Sequence, residues 1–184
     1  MRRLLLCTML GLAIAGPAMA DDPAAPADNP RLAAIYAADQ AARSRDDIDW
    51  DIQREQDRAH RAEVLALLRA GQLRTATDYF RAGILFQRGE SDDDYRTALA
   101  LAQVSATLDP QRSAARWLTA AAWDRLLLHR GRPQWYGTQY QAGKDGALEL
   151  SPVDEDAVDD AGRLRMGVPT LAGARARAAA MGGD

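Results

Sequence analysis

The chain has 184 residues, of which 47% are hydrophobic and 27% are charged, and its formal net charge is −3. A chain of this length can bury one adequate hydrophobic core. Its one cysteine, Cys7, lies in the N-terminal segment, so disulfide bonds and thiol catalysis are excluded for the rest of the sequence. The negative net charge and the lack of a basic tract argue against nucleic-acid binding.

The first twenty residues have the features of a secretory signal peptide. The Arg2-Arg3 pair forms a short positive region, residues 4–15 are apolar, and Ala18-Met19-Ala20 fits the small-x-small cleavage rule. The apolar run is too short to span a membrane. The sequence therefore predicts cleavage after Ala20 and a periplasmic or secreted chain without a membrane anchor. Removing the two arginines would change the net charge from −3 to −5.

The mature chain divides into a short leader, one helical domain and a tail. Residues 21–30 are rich in Pro, Ala and Asp and predict a disordered or extended leader. Residues 31–181 carry the helical pattern of a single domain, and residues 182–184 are expected to form a flexible tail. The first helix is expected to begin near Arg31. Whether it continues through residues 43–47 stays open.

Capping signals predict four more helices. The second runs from about Asp51 to Ala70 and ends at Gly71, and the third covers residues 75–88. Ser91 starts the fourth with a capping-box-like pattern, and Asp109-Pro110 ends it. Ser113 is expected to be the N-cap of a fifth helix that ends before Gly131. Short turns between these helices are typical of αα-hairpins.

Beyond Gln139 the pattern changes. Gly-containing turns and the alternating residues 147–150 favour one short β-hairpin near 135–150. The acidic run 154–160 is interpreted as a helix start after Ser151-Pro152. A last helix is expected from Thr170 to about Met181. The predicted fold is mainly α: a small bundle of αα-hairpins with tetratricopeptide-like packing, but without a true repeat.

The fifth helix is apolar on nearly every face, yet a helical wheel places Asp124 in the middle of its innermost face. A buried carboxylate needs donors, and Arg125 points about 100° away from Asp124. The loop 133–139 offers donors: backbone N–H groups, the Tyr136 and Thr138 hydroxyls, and glutamine amides. Asp124 is therefore interpreted as a structural tie for this loop. The competing hypothesis is that the loop 133–139 and the pair Asp124-Arg125 line a ligand pocket.

The function predicted from these features is a binding or structural role in an exported helical domain, with a peptide, glycan or protein partner. The alternative is a small hydrolase-like periplasmic enzyme that uses the same helix and loop. No catalytic residue or cofactor is predicted, and His60 and His129 lack the spacing of a zinc site. The candidate binding residues are Asp124, Arg125, Gln134, Trp135, Tyr136, Thr138 and Gln139.

Asp124-Arg125 and the downstream segment from Gly131 to Gln139, Gly-Arg-Pro-Gln-Trp-Tyr-Gly-Thr-Gln, resemble the signature of a bacterial family. This is domain-of-unknown-function family 6624, whose pattern is Asp-Arg followed by Gly-x-x-Gln-x-Tyr-Gly-Thr-Gln. The resemblance spans roughly residues 36–165. An early Asp-Gln-x-x-Arg of the family is matched at residues 39–43, while Arg88 stands where the family has histidine. Because the family has no assigned activity, the resemblance implies a site and leaves its function open.

Overall fold

The computed structural model of the protein describes residues 25–144 and 146–181. The predicted signal peptide, its cleavage site and the tail at 182–184 lie outside these residues. Among the described residues, no helix is long and apolar enough to cross a membrane. Just ahead of the first helix, the Asn29 backbone N–H donates to Asp78, and the Asp28 carboxylate accepts from the Thr75 hydroxyl. The chain is thus attached to the domain from Asp28 onward.

The described chain is mostly helical, with one two-stranded antiparallel hairpin. The hairpin register pairs Tyr140 with Leu150 and Ala142 with Leu148. This confirms the predicted mainly α fold with one short hairpin. The elements are α1 (Pro30–Arg43), α2 (Trp50–Arg69), α3 (Ala76–Gln87), α4 (Asp92–Leu108), α5 (Ser113–His129), β1 (Tyr140–Ala142), β2 (Leu148–Leu150), α6 (Asp160–Arg165) and α7 (Leu171–Met181).

Local sequence signals set most helix ends. Thr75 and Asp78 form a reciprocal capping box at the start of α3, and the Ser91 side chain accepts from the Asp94 N–H at the start of α4. Gly71 and Gly131 follow α2 and α5 with φ of 65° and 68°, the left-handed conformation that ends many helices. The first helix stops at Arg43, which settles the question that the sequence left open.

Two predicted helix starts are wrong. Ser113 is the first residue of α5 rather than its N-cap, and Arg112 occupies the cap position without a capping hydrogen bond from its side chain. The acidic run starts a helix only at its end, where Asp159 caps α6. Residues 152–154 are held extended instead, because Gln134 exchanges backbone hydrogen bonds with Pro152 and Asp154, and residues 155–157 then form a turn.

The core lies where α1 to α5 meet. α3 packs against α4, α4 packs against α5, and α1 contacts both α2 and α3. Gly83 on α3 allows this close packing, because a Cβ there would lie 3.0 Å from the Leu118 side chain on α5. The main cluster consists of Leu32, Ile35, Val64, Leu73, Ala82, Leu85, Phe86, Ala98, Leu101 and Ala122. On the other side of α5, the loop 133–139 and the hairpin lead into α6 and α7.

Candidate functional site

Asp124 is fully buried and accepts four hydrogen bonds from the loop. Its Oδ1 accepts from the backbone N–H groups of Trp135 and Tyr136, at 2.8 and 2.9 Å. Its Oδ2 accepts from the Thr138 N–H at 3.0 Å and from the Thr138 hydroxyl at 2.8 Å. These four bonds fill the acceptor capacity of a carboxylate. Asp124 therefore fastens the loop to α5 and has no acceptor site left for a ligand.

The donors to Asp124 were predicted in part. The backbone N–H groups and the Thr138 hydroxyl reach it, whereas the Tyr136 hydroxyl and the two glutamine amides do not. Burial raises the pKa of the Asp124 carboxyl, and the hydrogen bonds from Tyr136, Thr138 and Trp135 partly oppose that rise. The carboxylate is thus held in an environment built from fixed donors.

Gln134 is also fully buried and closes the loop on itself. Its Nε2 donates to the carbonyls of Gln139 and Ser151, both at 2.9 Å, and its Oε1 accepts from the Gln139 N–H at 2.9 Å. Gly137 lies between these contacts with φ of 82°. Asp124 and Gln134 together hold the loop in one conformation, so both act as structural residues.

Arg125 faces away from Asp124, as predicted for adjacent helical residues. Its Nε and Nη2 donate to the Gln139 Oε1 at 3.1 and 2.9 Å, and its Nη1 donates to the Gln87 carbonyl at 3.0 Å. Within residues 25–144 and 146–181, the Arg125 guanidinium forms no ion pair with a carboxylate. Three of its five N–H donors are used, which leaves one on each terminal nitrogen.

A cleft of about 350 Å³ opens between α3, α5 and the loop. We call it the Arg125 cleft. Burial lowers the pKa of the Arg125 guanidinium, and the nearby charge of Arg88 lowers it further, while Tyr95 opposes both effects. The residues that line the cleft are Ile84, Gln87, Arg88, Trp117, Arg125, Thr138, Gln139 and Tyr140.

The structure separates the seven candidate residues into three groups. Asp124 and Gln134 are internal ties. Arg125, Thr138 and Gln139 line the Arg125 cleft, where the Gln139 Nε2 also donates to the Thr138 hydroxyl at 2.9 Å. Trp135 and Tyr136 lie elsewhere, in a groove of about 200 Å³ beside Trp123, whose ring centroid is 5.1 Å from that of Trp135. Tyr136 also lines a cleft of about 430 Å³ beside α6, so the loop contributes to three different surfaces.

The seven candidates do not include five of the eight lining residues, namely Ile84, Gln87, Arg88, Trp117 and Tyr140. Gln87 is 6% exposed, and its Oε1 is buried without a donor among the described residues. Trp117 shares a helical face with Asp124 but is 38% exposed at the cleft. The family resemblance drew attention to the pair at 87–88, yet nothing in the sequence placed that pair opposite Arg125.

A polar network on α1 and α2 borders Arg88. Arg43 bridges the Asp39 and Asp57 carboxylates at 2.5 and 2.6 Å. Gln53 donates to the other oxygen of Asp57 at 2.9 Å. The Arg88 Nε forms an ion pair with Asp39 at 3.8 Å, a distance too long for a hydrogen bond. The nearest acid to Arg88 is therefore already bonded to another arginine.

Among the residues described, there is no group of three or more His, Cys, Asp or Glu side chains that could hold a metal ion. The cleft lining likewise contains two guanidiniums and no carboxylate or imidazole. The Arg125 cleft is thus a polar, cationic site with apolar and aromatic walls.

The model of a family described as "Family of unknown function (DUF6624)" matches residues 106–178. This confirms the predicted resemblance over a segment that includes α5, the 133–139 loop, the hairpin and α6. The Asp-Gln-x-x-Arg at 39–43 and the pair at 87–88 lie outside the matched segment. Neither the curated proteins nor the solved structures gave a match.

Proposed function

We propose that the protein is a non-catalytic binding domain, acting outside the cytoplasm, and that the Arg125 cleft is its ligand site. One observation carries this proposal: a partly buried guanidinium is held toward a cleft by neutral acceptors and has two N–H donors to spare. A buried charge ordinarily has a charged partner. A cleft that lacks such a partner in the described chain is suited to receive one from a ligand.

The saturated Asp124 network supports a division of roles. The 133–139 loop is rigid because Asp124 and Gln134 satisfy its backbone groups. A rigid loop fixes Gln139, and Gln139 in turn orients Arg125. Preorganised polar groups of this kind reduce the entropy lost on binding. The same helix and loop therefore contain both the structural tie at Asp124 and the proposed ligand pocket at Arg125.

An enzymatic role is the second candidate, because Thr138 lines the cleft and its hydroxyl donates to Asp124 at 2.8 Å. A hydroxyl beside a carboxylate resembles a nucleophile beside a general base. Burial raises the pKa of this carboxyl, but the three backbone N–H groups that donate to it oppose that rise and limit its strength as a base. The Thr138 hydroxyl also accepts from Gln139. This geometry favours binding over catalysis.

The binding proposal can be tested by NMR with a fragment set of organic acids, neutral amides, monosaccharides and tripeptides. We expect at least one class to shift the side-chain resonances of Arg125 and Trp117. The variant Ile84→Trp should fill the cleft and abolish these shifts. Val104→Trp, a matched change at an exposed position on α4 outside the cleft, should leave them intact. Shifts confined to the Trp123 groove, or unaffected by Ile84→Trp, would contradict the proposal.

The same ligand separates binding from catalysis. Thr138→Val removes the hydroxyl and keeps the side-chain shape. A binding domain should retain its affinity within a few-fold, because Arg125 and Gln139 remain. If the ligand is instead converted by the parent protein and not by Thr138→Val, the enzymatic candidate is correct.

A further inference from the structure

The chemistry of the Arg125 cleft allows its ligand to be specified further, and this specification rests on the proposed function. Among the residues that the structure describes, one Arg125 N–H on Nη1 and one on Nη2 find no acceptor. A carboxylate has two oxygens at a spacing that suits two such donors. The bonded partners of Arg125 are both neutral carbonyl oxygens, so the guanidinium charge is not balanced by its own contacts.

The rest of the lining also favours an anion. Arg88 adds a second guanidinium, and its side chain is 31% exposed at the cleft. Asp39 forms an ion pair with Arg88 at 3.8 Å, but both Asp39 oxygens already accept shorter hydrogen bonds, from Arg43 and Gln40. A negative ligand would therefore meet two positive groups and no competing carboxylate in the lining.

Gln87 indicates a second feature that the ligand should have. Its Oε1 is buried and accepts no hydrogen bond from the described residues. A buried acceptor left without a donor is costly, and a ligand N–H would satisfy it. The ligand should then carry an N–H close to its carboxylate. Trp117, Ile84 and Tyr140 provide apolar and aromatic surface for the remainder of the molecule.

We propose that the Arg125 cleft binds an N-acylated amino-acid unit, with its carboxylate on Arg125 and its amide N–H on Gln87. Two sources share this chemistry: a free N-acyl amino acid and the C-terminal residue of a peptide. Each has a carboxylate, a neighbouring N–H and a side chain that can lie on the apolar walls.

The test uses matched probes with the full chain. N-acetylphenylalanine contains both groups, its carboxamide lacks the charge, and 3-phenylpropionate lacks the N–H. We expect N-acetylphenylalanine to bind at least about tenfold more tightly than either, by calorimetry or NMR titration, since each comparison removes one buried hydrogen-bonded group. Gly-Gly-Phe with a free or an amidated C-terminus tests the peptide source. Preference for the free acid in either series supports the proposal.

Two variants test which residue binds the ligand carboxylate and which binds the ligand N–H. Arg125→Gln should abolish the preference for the acid over its carboxamide, whereas Arg132→Gln, an equal charge change outside the cleft, should preserve it. Gln87→Met should remove the preference for N-acetylphenylalanine over 3-phenylpropionate. Its folding is not at risk, because the Gln87 side chain makes no hydrogen bond within the described chain.

Equal affinity of the folded parent protein for acid and carboxamide in both series would overturn this inference. Such a result would leave the proposed function intact if neutral compounds still shifted the Arg125 and Trp117 resonances. If no compound of the fragment set shifted them, the proposed function itself would fail.

Discussion

Asp124 and Arg125 are consecutive residues of α5, and their side chains meet different parts of the molecule. The carboxylate receives four donors from the loop, whereas the guanidinium forms three bonds to neutral acceptors and lines a cleft. Neighbouring helical residues point about 100° apart, so adjacent positions of one helix can hold the loop and line the cleft, respectively. The sequence predicted the burial of Asp124 from the helical wheel alone.

Asp124→Ala should lower the free energy of unfolding by about 2–4 kcal/mol, because it leaves three backbone N–H groups and a hydroxyl without an acceptor. Urea denaturation measures this loss. Asp156→Ala is the control, since Asp156 is exposed and forms no hydrogen bond or ion pair among the described residues. A melting temperature for Asp124→Ala within a degree of the parent would show that the tie contributes nothing.

The pH dependence of Asp124 follows from its raised pKa, whose ordinary value is 3.8. The folded state takes up this proton at a higher pH than the unfolded chain. Between the two pKa values, lowering the pH therefore stabilises the folded state through Asp124, and above the folded pKa this contribution is absent. We expect the stability advantage of the parent over Asp124→Asn to grow as the pH falls from about 7 into this window. An advantage that shrinks would place the folded pKa below the ordinary value.

At the scale of elements, the loop 133–139 needs a backbone conformation with positive φ, which glycine adopts more easily than other residues. Gly137 has φ of 82°, and a Cβ built there would lie 3.8 Å from its nearest neighbours, so space is sufficient and conformation is the constraint. Gly137→Ala should lower the free energy of unfolding by about 1–2 kcal/mol. Gly137→Asn should lower it less, because asparagine tolerates positive φ better. Equal losses for the two variants would show that strain does not explain the glycine.

Helix ends were predictable where a single residue determines them. Thr75, Ser91, Gly71 and Gly131 each act within a few residues, so the signal is contained in the local sequence. The start of α6 was not predictable, because Gln134 holds residues 152–154 extended from almost twenty positions earlier, and a turn at residues 155–157 separates them from α6. Long-range backbone pairing overrode a local acidic signal there.

At the scale of the whole molecule, the cleft combines residues that are distant in sequence. The Arg125 side chain bonds to the Gln87 carbonyl across 38 positions. The sequence identified Arg125, Thr138 and Gln139 as candidates, because they lie in one continuous motif. It could not identify Gln87 as their neighbour, since tertiary packing of α3 against α5 brings it beside Arg125.

Export remains a prediction at this scale. If the first twenty residues are a signal peptide, N-terminal sequencing of the extracytoplasmic form should read Asp-Asp-Pro, starting at Asp21. Replacing Ala18 and Ala20 by Arg should block cleavage and leave the uncut chain. A purified extracytoplasmic form that retains Met1, or that carries lipid on Cys7, would contradict the prediction.

Asp124 holds the folded structure together, and we propose that Arg125 is held ready for a ligand. This division of roles can be measured as the free energy of unfolding of Arg125→Gln, beside Asp124→Ala, by chemical denaturation at neutral pH. Polar groups kept for an absent ligand contribute little to stability or reduce it. We predict that Arg125→Gln leaves the midpoint unchanged or raises it, while Asp124→Ala lowers it clearly. A loss for Arg125→Gln as large as that for Asp124→Ala would show that both residues are structural ties.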